Sequence, residues 1–197
     1  MKVVLATRNQ GKIVELRRIL DGVDVVGLDE YPDAPDVPET ELTFQGNALL
    51  KARAIAAHTG LPAVADDSGL CVDALNGMPG VFSARWSGRH GDDEANIDLL
   101  LGQLSDVAPE LRGARFVCVA AVAWPSGEED TVEGQLSGHL IGERRGTHGF
   151  GYDPIFVPDD ETRTTAELSP EEKDAISHRG KAFRALAERL AQRPTTS

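Results

Sequence analysis

The sequence predicts an α/β fold with a mixed central β-sheet flanked by helices, and three stretches carry the prediction. Over residues 2–67, short apolar runs alternate with longer segments whose apolar residues recur at helical spacing, giving a β-α-β-α-β order. Ala114 to Trp124 is a long apolar stretch of buried-strand character. The connection Pro125 to Asp130 then leads into a partner strand, Thr131 to Leu136, and strands joined so closely run antiparallel, which makes the sheet mixed.

Taken in order, Lys2 to Thr7 reads as a buried strand, and Ile13, Leu16, Ile19 and Leu20 then recur at helical spacing until Asp21-Gly22 stops the pattern. The join between them is Thr7-Arg8-Asn9-Gln10-Gly11-Lys12. A polar turn entering a helix offers unbonded N–H groups and the positive end of the helix dipole, and Lys12 adds a point charge, so a phosphate would be held there. The turn matches neither G-x-x-x-x-G-K-[ST] nor G-x-G-x-x-G, and it also reads as an Asn9 N-cap followed by a solvated lysine. Val23 to Leu28 is a second strand. The acidic loop Asp29 to Glu41 follows, in which Pro32, Pro35 and Pro38 exclude helix. Thr43 opens a helix with Phe44, Ala48, Leu49, Ala52, Ile55 and Ala56 on its apolar side, ending near Thr59-Gly60.

Leu61 to Asp67 is the next strand, and its exit carries the chemistry: Ala65-Asp66-Asp67-Ser68-Gly69-Leu70. Adjacent carboxylates before Ser-Gly suit a metal-assisted site on a turn, and they also suit a plain Asx-type turn with Gly supplying φ > 0. Successive strand side chains face opposite ways, so the two aspartates divide into one ligand or base and one structural acceptor. Spacing does not say which is which. Glu39, at the far end of the proline-rich loop, is a second candidate metal carboxylate and equally a solvated loop acid.

Asn76 to Gly80 makes a turn, and Asp92 to Leu104 an amphipathic helix with Ile97, Leu100, Leu101 and Leu104 inward. In Gly146 to Pro158, glycines flank Phe150 and Tyr152, as in loops where backbone approaches a planar ligand and a ring stacks on it; a structural loop with a core Phe competes. His58, His90, His139, His148 and His178 lack the short-range pairing of a zinc motif. Ser169-Pro170-Glu171-Glu172-Lys173 is a helix opening, with proline at the first position and acids in the first turn. The basic cluster Ser177-His178-Arg179-Gly180-Lys181 precedes a final helix with Phe183, Leu186 and Leu190 inward, and residues 193–197 read as a frayed tail.

Bulk properties narrow the function. A chain of 197 residues with 41% hydrophobic content fits one domain. A formal charge of -12 lacks the basic footprint of a nucleic-acid binder, yet leaves room for a small phosphorylated ligand held by a few local donors. The longest uncharged apolar run, Phe116 to Trp124, falls well short of the roughly 20 residues that span a bilayer, so no membrane partner is expected. No signal-peptide apolar region follows Met1, and two lone cysteines, Cys71 and Cys118, in apolar contexts favour a reducing, cytoplasmic setting.

Several motifs in order resemble those of the inosine triphosphate pyrophosphatase family: Thr7 to Lys12, Thr43-Phe44 with Asn47-Ala48 and Lys51-Ala52, Ala65 to Leu70, Ser83-Ala84-Arg85, Gly149 to Phe156, and Ser177 to Gly180. The match runs from residue 3 to about residue 190. The resemblance implies hydrolysis of the nonstandard purine nucleotides ITP, dITP and XTP to monophosphate and pyrophosphate, a homodimer, magnesium (Mg2+) as cofactor, and an elongated sheet with two lobes flanking the active-site cleft. It implies that Thr7, Arg8, Asn9, Gln10, Gly11 and Lys12 bind the triphosphate, with Lys173 also directed at the nucleotide. It makes Asp67 the catalytic and metal-associated aspartate, Glu39 its metal partner and Ser68 a substrate contact. Phe150, Gly151, Tyr152 and Asp153 match its base-binding loop, and His178 and Arg179 its purine contact. The chain departs from the family's pattern twice: Glu39-Thr40-Glu41 stands for Glu-Thr-Gly, leaving the second metal carboxylate open between Glu39 and Glu41, and Gly46-Asn47-Ala48 stands for Glu-Asn-Ala.

Overall fold

The structure is a computed structural model that describes residues 2–8, 10–19 and 23–192. The strands are β1 (Lys2–Leu5), β2 (Asp24–Val26), β3 (Ala63–Val72), β4 (Gly113–Ala123), β5 (Glu129–Leu140) and β6 (Phe156–Pro158). The α-helices are α1 (Gln10–Ile19), α2 (Phe44–Thr59), α3 (Asp93–Gln103), α4 (Pro170–Ile176) and α5 (His178–Ala191). One six-stranded sheet has the order β2-β1-β3-β4-β5-β6. β1 runs parallel to β2, with Lys2 opposite Asp24, and parallel to β3, with Val4 opposite Ala63. β5 and β6 are antiparallel, with Leu140 opposite Phe156. β4 and β5 are neighbours joined only by residues 124–128, where Trp124 N donates to Glu128 O at 2.9 Å, too short a link for a crossover. The fold is therefore mixed α/β, as the sequence predicts.

The boundaries of α2 follow from its end residues. Thr43 Oγ1 accepts from Gly46 N at 3.0 Å, satisfying one of the donors a helix start leaves over, and Gly60 closes the helix in the left-handed region at φ 68°. Thr43→Ala should lower stability by about 1 kcal/mol, read as a shift of the urea midpoint without a change in slope.

Two compact units can be described separately. The first comprises Met1–Asp67, Cys118–Gly134 and Arg179–Ser197. Its strands bury both faces, so they read as continuous apolar runs rather than alternating ones. On one face Val3, Leu5, Val64, Cys118, Ala120 and Val122 pack with Ile13 and Leu16 of α1 and with Phe183, Leu186 and Leu190 of α5. On the other, Val4, Ala63, Ala65, Val119 and Ala121 pack with Ala48, Leu49, Ala52 and Ile55 of α2. The second unit comprises Ser68–Val117 and Gln135–His178. Its core gathers Leu70, Val72, Ile97, Leu100, Leu104, Leu136, Ile155 and the tilted ring pair Phe116–Phe156, 4.6 Å between centroids.

Three features differ from the sequence expectation. β3 does not end at Asp67: it continues through Ser68-Gly69 to Val72, so the acidic pair lies within a strand rather than on a turn. α5 starts at His178, which places His178 and Arg179 on a helix, and β6 forms inside the stretch expected to be loop. Residues 193–197, expected to fray, Leu20, expected on the apolar side of α1, and Asp21-Gly22, expected to stop that helix, lie outside the described residues.

Candidate functional site

Because β3 continues past the acidic pair, pleating sends the two carboxylates to opposite faces. Asp66 shares the face of Val64, toward α1 and α5, and Asp67 shares the face of Ala65, toward α2. Both are buried, 5% and 6% exposed, so each needs partners.

Asp66 has cationic ones. Lys12 Nζ of α1 donates to both its oxygens, at 3.1 and 3.0 Å, and Arg179 Nε of α5 lies 3.5 Å from Oδ2. Burial opposes ionisation, but Lys12, Arg179 and Lys51 outweigh it and hold the Asp66 carboxyl well below the usual carboxylate range. Asp66 is thus a permanently charged anchor that fixes the Lys12 ammonium and the Arg179 guanidinium.

Asp67 has the opposite surroundings. Asn47 Nδ2 donates to its Oδ2 at 2.9 Å. Burial, together with the negative charges of Glu39 and Asp66, outweighs Lys51 and the Asn47 bond and pushes the carboxyl up to about 6. Lys51 Nζ donates to Glu39 Oε1 at 2.8 Å. Burial works against its charge, but Asp66, Glu39 and Asp67 together raise its pKa above the usual lysine value. Asn47 Oδ1 accepts from Glu41 N at 2.9 Å, so one amide joins the end of the proline-rich loop to Asp67. The motifs that carry the resemblance include Asn47 and Lys51, but the sequence gives neither a role. Their i, i+4 spacing puts both on one side of α2, a polar pair on a helix that otherwise buries alanine, leucine and isoleucine, and that was the available signal.

Among the described residues no three or more His, Cys, Asp or Glu side chains converge into a closed metal cage. The donor set is two hard carboxylates, Asp67 and Glu39, close enough for Glu39 to raise the proton affinity of Asp67. That chemistry fits magnesium, which is commonly held by one or two carboxylates with phosphate oxygens completing the shell.

The predicted phosphate turn is described in part. Asn9 lies outside the described residues; Thr7 N donates to Leu5 O at 2.8 Å, and Gln10 and Gly11 open α1. Arg8 turns to the proline-rich loop, where Nη2 donates to Ala34 O at 2.8 Å and Nε lies 3.5 Å from Asp36 Oδ1. It anchors the segment that leads to Glu39.

In the second unit, the predicted base loop divides into a presenting and a supporting part. Phe150 is 56% exposed. Asp153 is buried, and its carboxylate accepts from Phe150 N at 3.0 Å and from Thr165 Oγ1 at 2.8 Å and pairs with Lys173. Lys173 Nζ lies 5.3 Å from the centroid of the Phe150 ring. At Gly149, with φ 78°, a Cβ would stand 2.0 Å from Asp153 Oδ2, so only glycine lets the carboxylate reach this position. Gly151 N donates to Asp93 Oδ2 at 2.7 Å, and the buried Tyr152 hydroxyl donates to Ser83 O at 2.8 Å. Ser68 is half-buried in β3, directly after Asp67. The His178 ring stacks on Phe116, 5.0 Å between centroids and 14° between planes.

These features define an α/β protein in which one unit holds a buried carboxylate of raised proton affinity among acidic and basic partners, while the other offers an exposed ring on a charge-anchored loop. A family model described as the Ham1 family matches residues 3–189. A dITP/XTP pyrophosphatase of Streptomyces coelicolor is 66% identical over 189 residues, 94% of each chain. A HAM1 protein from Coxiella burnetii has a structure that superposes with a TM-score of 0.91 at 42% identity, covering 98% of this chain and all of the other. A nucleoside-triphosphatase described as a dITP/XTP pyrophosphatase from Mycobacterium abscessus gives 0.80 at 57% identity over 96% of this chain and all of the other. The chain belongs to the Ham1 family, which bears out the resemblance drawn from the motifs. No helix among the described residues is long and apolar enough to cross a membrane.

Proposed function

We propose that this protein hydrolyses nonstandard purine nucleoside triphosphates, ITP, dITP and XTP, to the monophosphate and pyrophosphate, clearing them from the nucleotide pool. The observation that carries the reading is the pair of adjacent buried carboxylates driven in opposite directions, Asp66 held ionised and Asp67 pushed up to about 6. Two titratable groups pulled apart by their surroundings mark a division between structural and chemical roles. The names of the relatives supply the substrate class.

Asp67 and Glu39 would hold magnesium, whose chemistry is to neutralise phosphate charge and polarise the phosphoryl group. Asp67 orients the attacking water and takes its proton as the oxygen closes on the α-phosphorus. Asn47 fixes the direction of that carboxylate. The start of α1 and the Lys12 ammonium receive the triphosphate and stabilise the departing pyrophosphate. Within the second unit the exposed Phe150 ring offers a face on which a purine would stack, His178 being the family's match for a purine contact there, and within the first unit Arg179 offers donors to a purine edge. A donor at purine C6 favours the carbonyl of hypoxanthine and xanthine over the amine of adenine, at a cost of about 1 to 3 kcal/mol for each group left unsatisfied. We further assign the protein to the cytoplasm, since Cys71 and Cys118 are both buried and not joined in a disulfide, and to a homodimer, following the family resemblance.

Incubation with magnesium and ITP, XTP, dITP, ATP, GTP or dUTP, with identification of products, tests the assignment. Monophosphate and pyrophosphate from the first three alone support it. Binding without turnover would make the protein a nucleotide sensor instead, and turnover of dUTP would move its substrate to pyrimidines. Arg179→Ala should narrow the ratio of kcat/KM between ITP and ATP by about tenfold. A ratio is used because Arg179 also faces Asp66, so the variant loses stability as well; an unchanged ratio would remove Arg179 from base reading.

A further inference from the structure

Phe150 is 56% exposed, so the direction of its ring is set largely by the two peptide groups that flank its Cα. Carboxylates hold both. On one side Phe150 N donates to Asp153 Oδ2 at 3.0 Å, a bond made within the loop. On the other, Gly151 N donates to Asp93 Oδ2 at 2.7 Å, and Asp93 comes from the first turn of α3, 58 residues away. The helix dipole alone favours an acid in that turn, but it does not account for the aim of this carboxylate at a loop amide. The next residue is anchored as well. Tyr152 is buried, its hydroxyl donates to Ser83 O, and Ser83 Oγ accepts from Leu70 N at 2.8 Å and donates to Gly80 O at 2.6 Å. α3 is joined to the same segment, since Asn96 Oδ1 accepts from Ser87 N at 2.7 Å. Within the second unit the loop thus rests on a hydrogen-bonded platform, and Asp93 is the part of it that meets the chain directly after the ring.

We propose that Asp93 is a positioning residue for base recognition: by holding the Gly151 N–H it fixes the peptide plane after Phe150 and aims the exposed ring at a purine. The inference rests on the reading of residues 150–153 as a base-binding loop. A ring aimed in advance binds without an ordering cost. Arg144 also ties the approach to this loop to α3, with Nη2 donating to Asp98 Oδ1 at 2.7 Å and lying 3.3 Å from Glu94 Oε2. Both of those acids are exposed, and such pairs contribute little. The Asp93 bond instead joins a carboxylate to a main-chain donor, one of the stronger kinds. Burial, and after it the Asp93 charge, raises the proton affinity of the Tyr152 phenol, so the hydroxyl stays a donor to Ser83 O. Asp93 therefore acts on two consecutive residues, and both effects keep the loop in the conformation that presents Phe150.

The test is calorimetric titration of the full chain in EDTA with ITP and with inorganic tripolyphosphate, which carries the phosphates without a base, together with steady-state ITP kinetics in magnesium. Asp93→Ala should weaken ITP binding by about tenfold and leave tripolyphosphate binding as in wild type. KM for ITP should rise in proportion, with a much smaller change in kcat. Asp93→Asn keeps an acceptor for Gly151 N and should recover most of the lost affinity. A role confined to the start of α3 does not explain that pattern, because both variants remove the charge beside the helix dipole and only alanine removes the acceptor. ITP binding unchanged in Asp93→Ala, an asparagine variant as weak as alanine, or an equal loss for tripolyphosphate would overturn the assignment. Phe150→Ala separates the levels: ITP affinity lost there but kept in Asp93→Ala removes Asp93 alone. A Phe150→Ala variant that binds ITP as wild type does, or a wild type that binds ITP no more tightly than tripolyphosphate, removes the base-loop reading itself.

Discussion

Asp67→Asn is expected to lower pyrophosphate release by about 10²–10⁴-fold and, in EDTA, to raise the melting temperature at neutral pH. The first effect follows from losing the proton acceptor. The second follows from linkage. The Asp67 carboxyl is pushed up to about 6, above the value of about 3.9 that it regains on unfolding, so the folded chain holds this proton more tightly. The favourable contribution is complete below pH 4 and is lost as pH rises through about 6, so at pH 7.5 the ionised side chain burdens the metal-free fold. Asparagine retains an acceptor for Asn47 Nδ2 without the charge. The relief is at most about 3 kcal/mol, several degrees of melting temperature for a domain of this size, and it should shrink toward pH 4. A variant that melts below wild type at pH 7.5 in EDTA, or that releases pyrophosphate at a near-normal rate, would count against the role.

Asp66→Asn, one residue earlier, should do the reverse to stability. It leaves the Lys12 ammonium and the 5%-exposed Arg179 facing a neutral amide. Removing one member of a buried ion cluster typically costs about 3–5 kcal/mol, a fall of roughly 10 °C in melting temperature for a chain of this length. The pH dependence also inverts. The Asp66 carboxyl is held below its unfolded value, so its contribution is complete above about pH 4 and is lost only as acid titrates the folded form. Wild type and Asp66→Asn should therefore differ most in urea midpoint at pH 6 to 8 and converge toward pH 2; a variant as stable as wild type at pH 7 would show that the cations need no anion there.

Strand alternation was enough to tell that Asp66 and Asp67 differ, but not to say how. The partners that decide it come from other parts of the chain: Asn47 and Lys51 from α2, Lys12 from α1, Arg179 from α5. Asp-Asp-Ser-Gly reads locally as a turn because exposed carboxylates and a flexible glycine favour one, whereas here each carboxylate finds a buried partner and the strand continues to Val72. The ends of α2 were legible because Thr43 and Gly60 act within a single turn of chain. β6 was not: three residues of Phe156–Pro158 beside glycines and aromatics carry no periodic signal, and pairing with β5 alone makes them a strand. In the stretch 146–158 the glycine–aromatic spacing pointed to a presented ring, and Phe150 is 56% exposed. Asp153, grouped with it by motif, is instead committed to Phe150 N, Thr165 and Lys173, a supporting role invisible without the fold.

The doublet in β3 also governs how that strand can pair. β1 and β3 align with Val4 opposite Ala63 and Leu5 opposite Val64, a register that apolar side chains on both faces specify only weakly. A slip by one residue would turn either Ala65 or Asp67 toward Lys12 and Arg179. In the first case two cations are stranded against a methyl group; in the second Ser68 replaces the acid that faces Asn47. Neither misaligned sheet keeps both charge sets matched, so the two aspartates act as a key that admits one alignment during assembly.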